Sequence, residues 1–577
     1  MNDIEKFLYS QWVEYATEDD DITRELKDIE NKPAEIQDRF YRELEFGTGG
    51  LRGKLGAGTN RMNIYTVRKA TLGLASYLRQ TFDSPSIAIS YDSRRKSRLF
   101  ADEVAQTMSS CGVNVHIFDR LMPTPVLSFA VRHLECSAGV MITASHNPAE
   151  YNGYKVYGAD GCQITDDAAK TITQYIATAN IFTCTKNSDP SEHTNNCITT
   201  SLSNHDCGPI KTIPESVIEH YYSAVLTERV ECQQASKASN LSIVYSPLHG
   251  SGLEPVMSVL EKAGYTNINV VSSQRNPDGN FPTCPYPNPE LPEALDEGIK
   301  YMNEIDGKLL LATDPDCDRV GVVADNHILT GNEIGVLLLD YICKMRKQNG
   351  TMPDNPIAVK TTVTTDMAEK IAAFHGVKLI SVLTGFKYIG EFIGELEKAN
   401  NEKQFIFGFE ESCGYLSGTY ARDKDAVNAV LLICDMATYY ATQGLTLSQQ
   451  LNNLYEAHGY YECALDSFTF EGADGLKTMS ELTTSLRTQS PNNVFDIPAK
   501  KRIDYLDKSQ NKNLPCSNVL QYTLIDNTVL TIRPSGTEPK MKIYYQVVQD
   551  SKENAANTLK TLQSKIHSIF MELLCDL

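Results

Sequence analysis

One pattern constrains this chain more than any other. Short apolar runs of strand length alternate with helical segments, and the alternation returns in three successive blocks. In the first block SIAISYD (86–92), VNVHIFD and AGVMITAS (138–145) read as strands, with RLFADEVAQTMSSCG as a helix. In the second, LSIVYSPLHG (241–250), INVVSS and LLLATDPD are strands around the helix LEPVMSVLEKAG. In the third, PIAVKTTVTT (356–365), VKLISVLTG and QFIFGFEES (404–412) are strands around DMAEKIAAFHG. Strand–helix–strand units build mostly parallel sheets covered by helices. The last 110 or so residues differ: VLQYTLID, NTVLTIRP and MKIYYQVV precede a closing helix, which predicts a smaller α+β domain with an antiparallel sheet. The first forty residues read as helix, over DIEKFLYSQWVEY and ITRELKDIENKPAEIQDRFYREL. The polar stretch 184–210 reads as a linker or surface excursion.

At 577 residues the chain is too long for one core, and three to five domains are expected. Lys plus Arg is 53 and Asp plus Glu is 73, a formal charge of −20. That sign argues against nucleic acid or a membrane surface as partner, both being anionic, but leaves room for a basic pocket that takes a small anion. Neither a secretory signal nor an apolar run of membrane-spanning length is present in the sequence. Fifteen scattered cysteines without CxxC pairs read as free thiols in a reducing cytoplasm.

Four motifs carry chemistry, and they fall where strands end, the place where α/β domains gather ligands. Thr143-Ala-Ser-His-Asn-Pro148 follows the strand AGVMI and exposes Ser145; by itself Ser-His-Asn-Pro is also a plain turn. A Ser-His-Asp hydrolase is disfavoured, because adjacent Ser and His side chains do not easily meet and no G-x-S-x-G elbow exists. Asp314-Pro-Asp-Cys-Asp-Arg319 puts Asp314, Asp316 and Asp318 in one tight loop, an all-oxygen set suited to Mg²⁺. An EF-hand needs Gly at its sixth position, where Arg319 stands, and the D-x-D-x-[TV] phosphatase start has Asp318 at its fifth. In Gly408-Phe-Glu-Glu-Ser-Cys-Gly414, Glu410 and Ser412 share one face if the strand persists, and can then bind vicinal hydroxyls. In Thr531-Ile-Arg-Pro-Ser-Gly-Thr-Glu-Pro-Lys540, Arg533, Ser535 and Thr537 surround Gly536 as a phosphate cradle that is not a Walker A loop. Arg52, in Phe46-Gly-Thr-Gly-Gly-Leu-Arg-Gly53, and Lys155 are further cations able to face an anion. A desolvated lysine near other cations has its pKa lowered toward the range useful for proton transfer.

The ordered set FGTGGLRG, TASHNP, DPDCDR, TGFKYIG (384–390), GFEESCGY and RPSGTEPK resembles the alpha-D-phosphohexomutase superfamily over nearly the whole chain, nearest its phosphoglucomutase/phosphopentomutase-like branch. The resemblance implies four domains around a central cleft, with boundaries expected at 1–208, 209–327, 328–455 and 456–577. It implies that Ser145 carries a phosphoryl group. Asp314, Asp316 and Asp318, with the phosphoserine oxygen, would hold Mg²⁺; Glu410 and Ser412 would bind sugar hydroxyls. Arg533, Ser535, Gly536 and Thr537 would grip the idle phosphate, Thr384, Gly385 and Lys387 would read the sugar, and Arg52, Lys155 and Arg319 would lie near the moving phosphoryl group. Phosphomannomutase-type members carry His at places held here by Phe386 and Gly414, which leaves Lys155, His146 and Lys387 as acid/base candidates. The implied reaction interconverts glucose 1-phosphate and glucose 6-phosphate through glucose 1,6-bisphosphate, with mannose or pentose phosphates as alternatives. A bisphosphate synthase, a metal-dependent phosphatase and a non-catalytic sugar-phosphate sensor are the other readings.

Overall fold

The computed structural model describes residues 3–47, 49–182, 207–230, 241–470, 475–511, 514–535 and 540–575. The expected linker at 184–210 therefore lies almost wholly outside the described residues. The chain forms two compact units, one of residues 1–328, 390–403 and 414–438, the other of residues 329–389, 404–413 and 439–577.

The first unit holds two α/β sheets. In the first, the strands run in the order Gly50–Lys54, Tyr151–Gly158, Ala138–Ile142, Ser86–Tyr91, Asn114–Ile117, Ile210–Thr212. The last four are mutually parallel and the first two are antiparallel additions. Ala138–Ile142 is buried at every position, which explains its uninterrupted apolar run: helices cover both faces of such a strand. In the second sheet Leu309–Thr313 lies parallel to Ile243–Ser246, which lies parallel to Ile268–Val270. Val320–Ala324 folds back antiparallel on Leu309–Thr313, so residues 314–319 form the tip of a hairpin.

The N-terminal region is helical, as its pattern predicts, but in three pieces: Asp3–Tyr15, Asp20–Asp28 and Pro33–Phe40. The break before Pro33 has a plain cause. Proline lacks an N–H and disfavours helical geometry in the residue before it, so it starts a helix rather than continuing one. The helices are anchored by Trp12, buried edge-on against Phe40 and Tyr65.

The second unit begins with the parallel strands Lys378–Val382, Ile357–Thr361 and Phe405–Glu410, side by side in that order. Its other sheet is antiparallel, in the order Tyr460–Thr469, Lys540–Gln549, Val529–Pro534, Leu520–Leu524, Ile497–Asp504, Asn493–Val494. The helix Lys552–Cys575 packs on it, with Ile566 and Phe570 entering an apolar core shared with Tyr522, Ile532 and Ile543. Three α/β sheets plus one antiparallel α+β layer is the fold class that the sequence predicts. One strand stops early. Phe405–Glu410 ends at Glu410 and the chain turns, so alternation along a strand does not relate Ser412 to Glu410. Among the described residues no helix is long and apolar enough to cross a membrane, and the cysteines are free thiols, most of them buried.

Candidate active site

The Ser145 loop begins where Ala138–Ile142 ends. Ser145 is buried and has φ 51°, a left-handed conformation that costs a non-glycine residue free energy and persists only where its surroundings impose it. Those surroundings are specific. The fully buried Arg94 donates to the carbonyl of Ser145 at 2.5 Å, to that of Asn147, to Pro148 at 2.9 Å and to Tyr151 at 3.1 Å. Asp92 sits 3.3 Å from the same guanidinium and accepts the Thr143 hydroxyl at 2.6 Å; Thr143 Oγ1 in turn accepts the Ser145 N–H at 2.8 Å. Behind the loop, a Cβ on Gly153 would lie 2.5 Å from the Thr143 carbonyl, so only glycine lets the neighbouring strand come this close. Arg94→Lys is expected to keep a positive charge but lose the planar fork that spans four carbonyls. Turnover should fall by about 10–100-fold through misplacement of Ser145, with substrate affinity less affected; steady-state kinetics on the folded variant check this.

The hairpin tip 314–319 brings its three carboxylates together. Asp314 Oδ1 accepts the N–H groups of Asp318 at 3.1 Å and Arg319 at 3.0 Å, while its Oδ2 accepts the Ser145 hydroxyl at 2.9 Å. Asp316 Oδ2 accepts Thr124 Oγ1 at 2.9 Å and Lys155 Nζ at 2.7 Å. Asp318 Oδ2 is 3.2 Å from Lys424 Nζ and 3.5 Å from Lys155 Nζ. The other oxygens, Asp316 Oδ1 and Asp318 Oδ1, are buried without a hydrogen-bond partner. Buried carboxylate oxygens do not normally stay unpaired. All three side chains are essentially inaccessible, and each offers an oxygen within 4.8 Å of the others. The donor set is hard and all-oxygen, so a divalent cation fits it. Without a cation, burial and then the charges of Asp316 and Asp318 push the Asp314 carboxyl well above its usual range. Burial acts on Asp316 too, but Lys155 outweighs it and holds that group low. Three mutually repelling acids of which one prefers its proton form a site that a bound cation would relieve.

Cations surround this loop. Burial alone would lower the Lys155 ammonium, but Asp316 and Asp318 outweigh burial and raise it above the ordinary lysine value. The lowering expected from neighbouring cations is thus reversed by two carboxylates that sequence distance hides. Lys424 is bonded to Asp423 at 3.0 Å, and Tyr157 donates to the other Asp423 oxygen at 2.8 Å. The chain leaves a path for Lys424 at Gly414: a Cβ there would lie 2.1 Å from Lys424 Cδ and 2.6 Å from its Cγ. A histidine at 414 would therefore require the lysine to move. Arg319 donates to Glu290, and the exposed Arg52 donates to Asn147 Oδ1 at 2.9 Å, on the serine loop itself. Burial, and then Arg319 and Arg52, push the His146 imidazole well below its usual value and keep it neutral. Its Nδ1 is 3.2 Å from Ser145 Oγ. The expectation that adjacent Ser and His side chains do not meet is therefore wrong here, because the left-handed backbone of Ser145 turns both to one side. No catalytic triad follows, since the carboxylate, Asp314, meets the serine rather than the imidazole.

The first unit thus brings together Ser145, His146, Lys155, Arg52, Arg319 and the three aspartates. Sequence reasoning missed Arg94, Thr124 and Lys424. Arg94 and Lys424 carried a signal, in the basic run Arg94-Arg-Lys96 after a strand end and in Arg422-Asp-Lys-Asp425. Thr124 carried none.

The other candidates lie in the second unit. Glu410 is buried at the end of its strand, and its Oε1 accepts the N–H of Gly385 at 3.0 Å. Gly385 has φ 121°, a conformation that favours glycine, and the adjacent Thr384 hydroxyl is buried without a hydrogen-bond partner. Lys387 Nζ lies over the Tyr388 ring. Arg533 and Ser535 close the strand Val529–Pro534, where the Ser535 N–H donates to Lys540 at 2.7 Å. Tyr544 is raised by burial, then by Glu411, while Arg533 acts in the opposite sense, so the Glu410–Glu411 turn and Arg533 share this tyrosine as a neighbour. Gly536 and Thr537 lie outside the described residues.

Family models described as phosphoglucomutase/phosphomannomutase alpha/beta/alpha domains I, II and III match residues 43–181, 219–327 and 330–458. The phosphoglucomutase of Staphylococcus aureus strain USA300 is 35% identical over 565 residues, covering 96% of this chain and 97% of its own. Among solved structures, the open form of the exocytosis-sensitive phosphoprotein pp63/parafusin, a phosphoglucomutase of Paramecium, has a TM-score of 0.67 at 18% identity, covering 91% of this chain and 95% of its own. A phosphoglucomutase/phosphomannomutase family protein of Burkholderia thailandensis has a TM-score of 0.66 at 17% identity, covering 91% and 97%. With the same three domain types in the same order, and a relative at this identity along almost the whole length, the chain belongs to the phosphoglucomutase/phosphomannomutase family and is a phospho-sugar mutase of the alpha-D-phosphohexomutase superfamily.

Proposed function

We propose that the protein interconverts glucose 1-phosphate and glucose 6-phosphate, with Ser145 as phosphoryl carrier and glucose 1,6-bisphosphate as intermediate. The observation that carries this reading is the Ser145 hydroxyl seated on Asp314, beside two buried carboxylate oxygens that have no hydrogen-bond partner. Asp314, Asp316 and Asp318, with an oxygen of phosphorylated Ser145, would hold Mg²⁺, which neutralises phosphoryl charge when bound. Lys155, Lys424, Arg319 and Arg52 supply further positive charge around the serine, and Arg94 fixes the serine's position.

In the first half-reaction the P–O bond to Ser145 breaks as a P–O bond forms to the sugar's free hydroxyl. That hydroxyl's proton passes through a base to the departing serine oxygen. His146, with Nδ1 3.2 Å from Ser145 Oγ, is the base candidate by position, although burial, Arg319 and Arg52 disfavour its protonated form, and Lys155 and Lys387 are cationic partners able to return the proton. In the second half-reaction the bisphosphate, turned end for end, returns its other phosphoryl to Ser145. Glu410, Ser412, Thr384 and Gly385 hold sugar hydroxyls, and Arg533, Ser535, Gly536 and Thr537 hold whichever phosphate is idle. The work is divided over four domains, 1–208, 209–327, 328–455 and 456–577, one motif on each.

Glucose ranks first because Phe386 and Gly414 stand where phosphomannomutase-type members carry histidine; pentose and mannose phosphates follow. The test is to incubate the protein with glucose 1-phosphate, Mg²⁺ and a trace of glucose 1,6-bisphosphate, and to measure glucose 6-phosphate and inorganic phosphate together. Steady phosphate release without glucose 6-phosphate would make the protein a phosphatase. Arg533→Ala should remove a bidentate charged contact and weaken apparent affinity for the monophosphate by roughly 2–5 kcal/mol, leaving phosphorylation of Ser145 intact. An unchanged KM and kcat would remove Arg533 from the site.

A further inference from the structure

We propose that Thr124 is a positioning residue for the cation: it orients the Asp316 carboxylate so that one oxygen stays free for the metal, and it ties the acidic tip to the layer that carries Ser145. The inference rests on the cation site proposed above at Asp314, Asp316 and Asp318. Within the first unit, successive backbone carbonyls of the tip are held from different directions. That of Pro315 accepts the Ser251 N–H at 2.9 Å and the Ser251 hydroxyl at 2.8 Å. That of Asp316 accepts the Thr124 N–H at 2.9 Å, and that of Cys317 accepts the Ala426 N–H at 3.3 Å. Gly250 permits the first of these approaches, since a Cβ there would lie 2.5 Å from Pro315 Cα. The backbone of the tip is thus fixed, and the direction of each carboxylate is set by what its oxygens accept.

For Asp316 that direction comes from Thr124. The residue opens the helix Thr124–His133 between Pro123 and Pro125, neither of which has an N–H. As at any helix start, the Thr124 N–H has no acceptor within the helix, and it goes to the Asp316 carbonyl instead. The hydroxyl of the same residue donates to Asp316 Oδ2 at 2.9 Å. Thr124 therefore grips Asp316 at main chain and side chain together. Lys155 reaches the same Oδ2 at 2.7 Å, but from a long flexible stem, whereas the threonine side chain is short, β-branched and fully buried. With Oδ2 accepting both donors, Oδ1 is left buried without a hydrogen-bond partner, as a ligand that offers a cation one oxygen should be. The same helix relates this grip to the serine. Thr124–His133 leads into the strand Ala138–Ile142, beyond whose end Ser145 donates to Asp314 Oδ2 at 2.9 Å. One helix–strand unit thus touches the acidic tip twice, at Asp316 through its first residue and at Asp314 through the serine that follows its strand. Groups that hydrogen-bond a ligating carboxylate change metal affinity by about 10–100-fold when they are removed.

The test is Mg²⁺ binding, followed by titration calorimetry, to wild type, Thr124→Val, Thr124→Ser and Ser251→Ala, with a thermal melt of each. Thr124→Val keeps the shape and the N–H and removes only the hydroxyl. It should weaken Mg²⁺ binding by about tenfold, and Thr124→Ser should recover the affinity to within about threefold of wild type. The Mg²⁺ concentration for half-maximal turnover should rise in Thr124→Val by the same factor, with KM for glucose 1-phosphate unchanged. Ser251→Ala is the comparison, because it removes a buried hydroxyl that holds a carbonyl of the same tip rather than a carboxylate; its affinity should stay within about threefold of wild type. A folded Thr124→Val with wild-type affinity overturns the role, and so does equal weakening in Thr124→Val and Ser251→Ala, which would make the effect a general loosening of the tip. Thr124→Ala carries the same comparison if Thr124→Val does not fold. A wild type that takes up no Mg²⁺ overturns the cation reading of the acidic tip together with this role, so the two failures are told apart.

Discussion

Ser145→Ala is expected to reduce turnover of glucose 1-phosphate by about 10⁴-fold or more, because no other group can replace a covalent carrier. The loss should be in kcat, not in folding. Ser145 Oγ makes contacts at 2.9 Å with Asp314 and 3.2 Å with His146, but the loop's shape depends on the Arg94 bonds to backbone carbonyls and on the Thr143 hydroxyl. Those anchors survive the substitution. The left-handed φ at 145 suits alanine no better than serine, which should cost a modest amount of stability. A thermal melt beside the kinetic assay separates the two effects. A folded Ala variant that retains near-normal turnover would mean that the phosphoryl group never resides on Ser145.

The second large effect is expected from the acidic hairpin tip. Removing divalent cations with a chelator should stop turnover, and Mg²⁺ should restore it. Asp316→Asn should weaken Mg²⁺ binding by at least about 100-fold, more than is typical for loss of an outer partner. Even at saturating Mg²⁺ it should lower kcat by roughly 10²-fold, since Lys155 loses the carboxylate that positions it beside the moving phosphoryl group. The substitution acts twice. It removes one formal charge from the cation site, and it takes from the buried Lys155 its 2.7 Å anionic partner. Titration of Mg²⁺ against activity and against binding separates these consequences: the first appears in the Mg²⁺ affinity, the second in kcat at saturation. Full activity after exhaustive chelation would make the acidic tip a structural turn.

The fold class was legible because its determinants are local. Buried parallel strands such as Ala138–Ile142 and Leu309–Thr313 must be apolar on both faces, and the antiparallel layer shows in strands of a different pattern near the C-terminus. The three aspartates were legible for the same reason: one six-residue loop delivers them all. Partners set by tertiary contact were not legible. Thr124 reaches Asp316 from a helix 192 positions away in the chain, and Lys155 reaches it from 161 positions away. Nothing near Lys155 in sequence announces the carboxylates that raise its pKa. Conformation hid two further facts. The left-handed Ser145 brings His146 onto its own hydroxyl, and the turn after Glu410 removes the alternation that linked it to Ser412. Gly414 shows both sides at once. Its departure from the phosphomannomutase-type pattern is visible in sequence, but its physical reason, the stem of Lys424 lying where a side chain would be, is visible only in three dimensions.

The central claim is that Ser145 carries the transferred phosphoryl group, and a single-turnover chase tests it most directly. The protein is first charged with glucose 1,6-bisphosphate labelled in its phosphates, freed of sugar, and mapped by peptide mass to locate the label. It is then mixed with a stoichiometric amount of unlabelled glucose 1-phosphate and Mg²⁺. The account predicts one phosphate on the peptide containing Ser145, and its loss from the protein at the rate at which labelled bisphosphate and glucose 6-phosphate form, with inorganic phosphate absent on that timescale. Label on any other residue, or label on Ser145 that stays on the protein while glucose 6-phosphate accumulates, would contradict it.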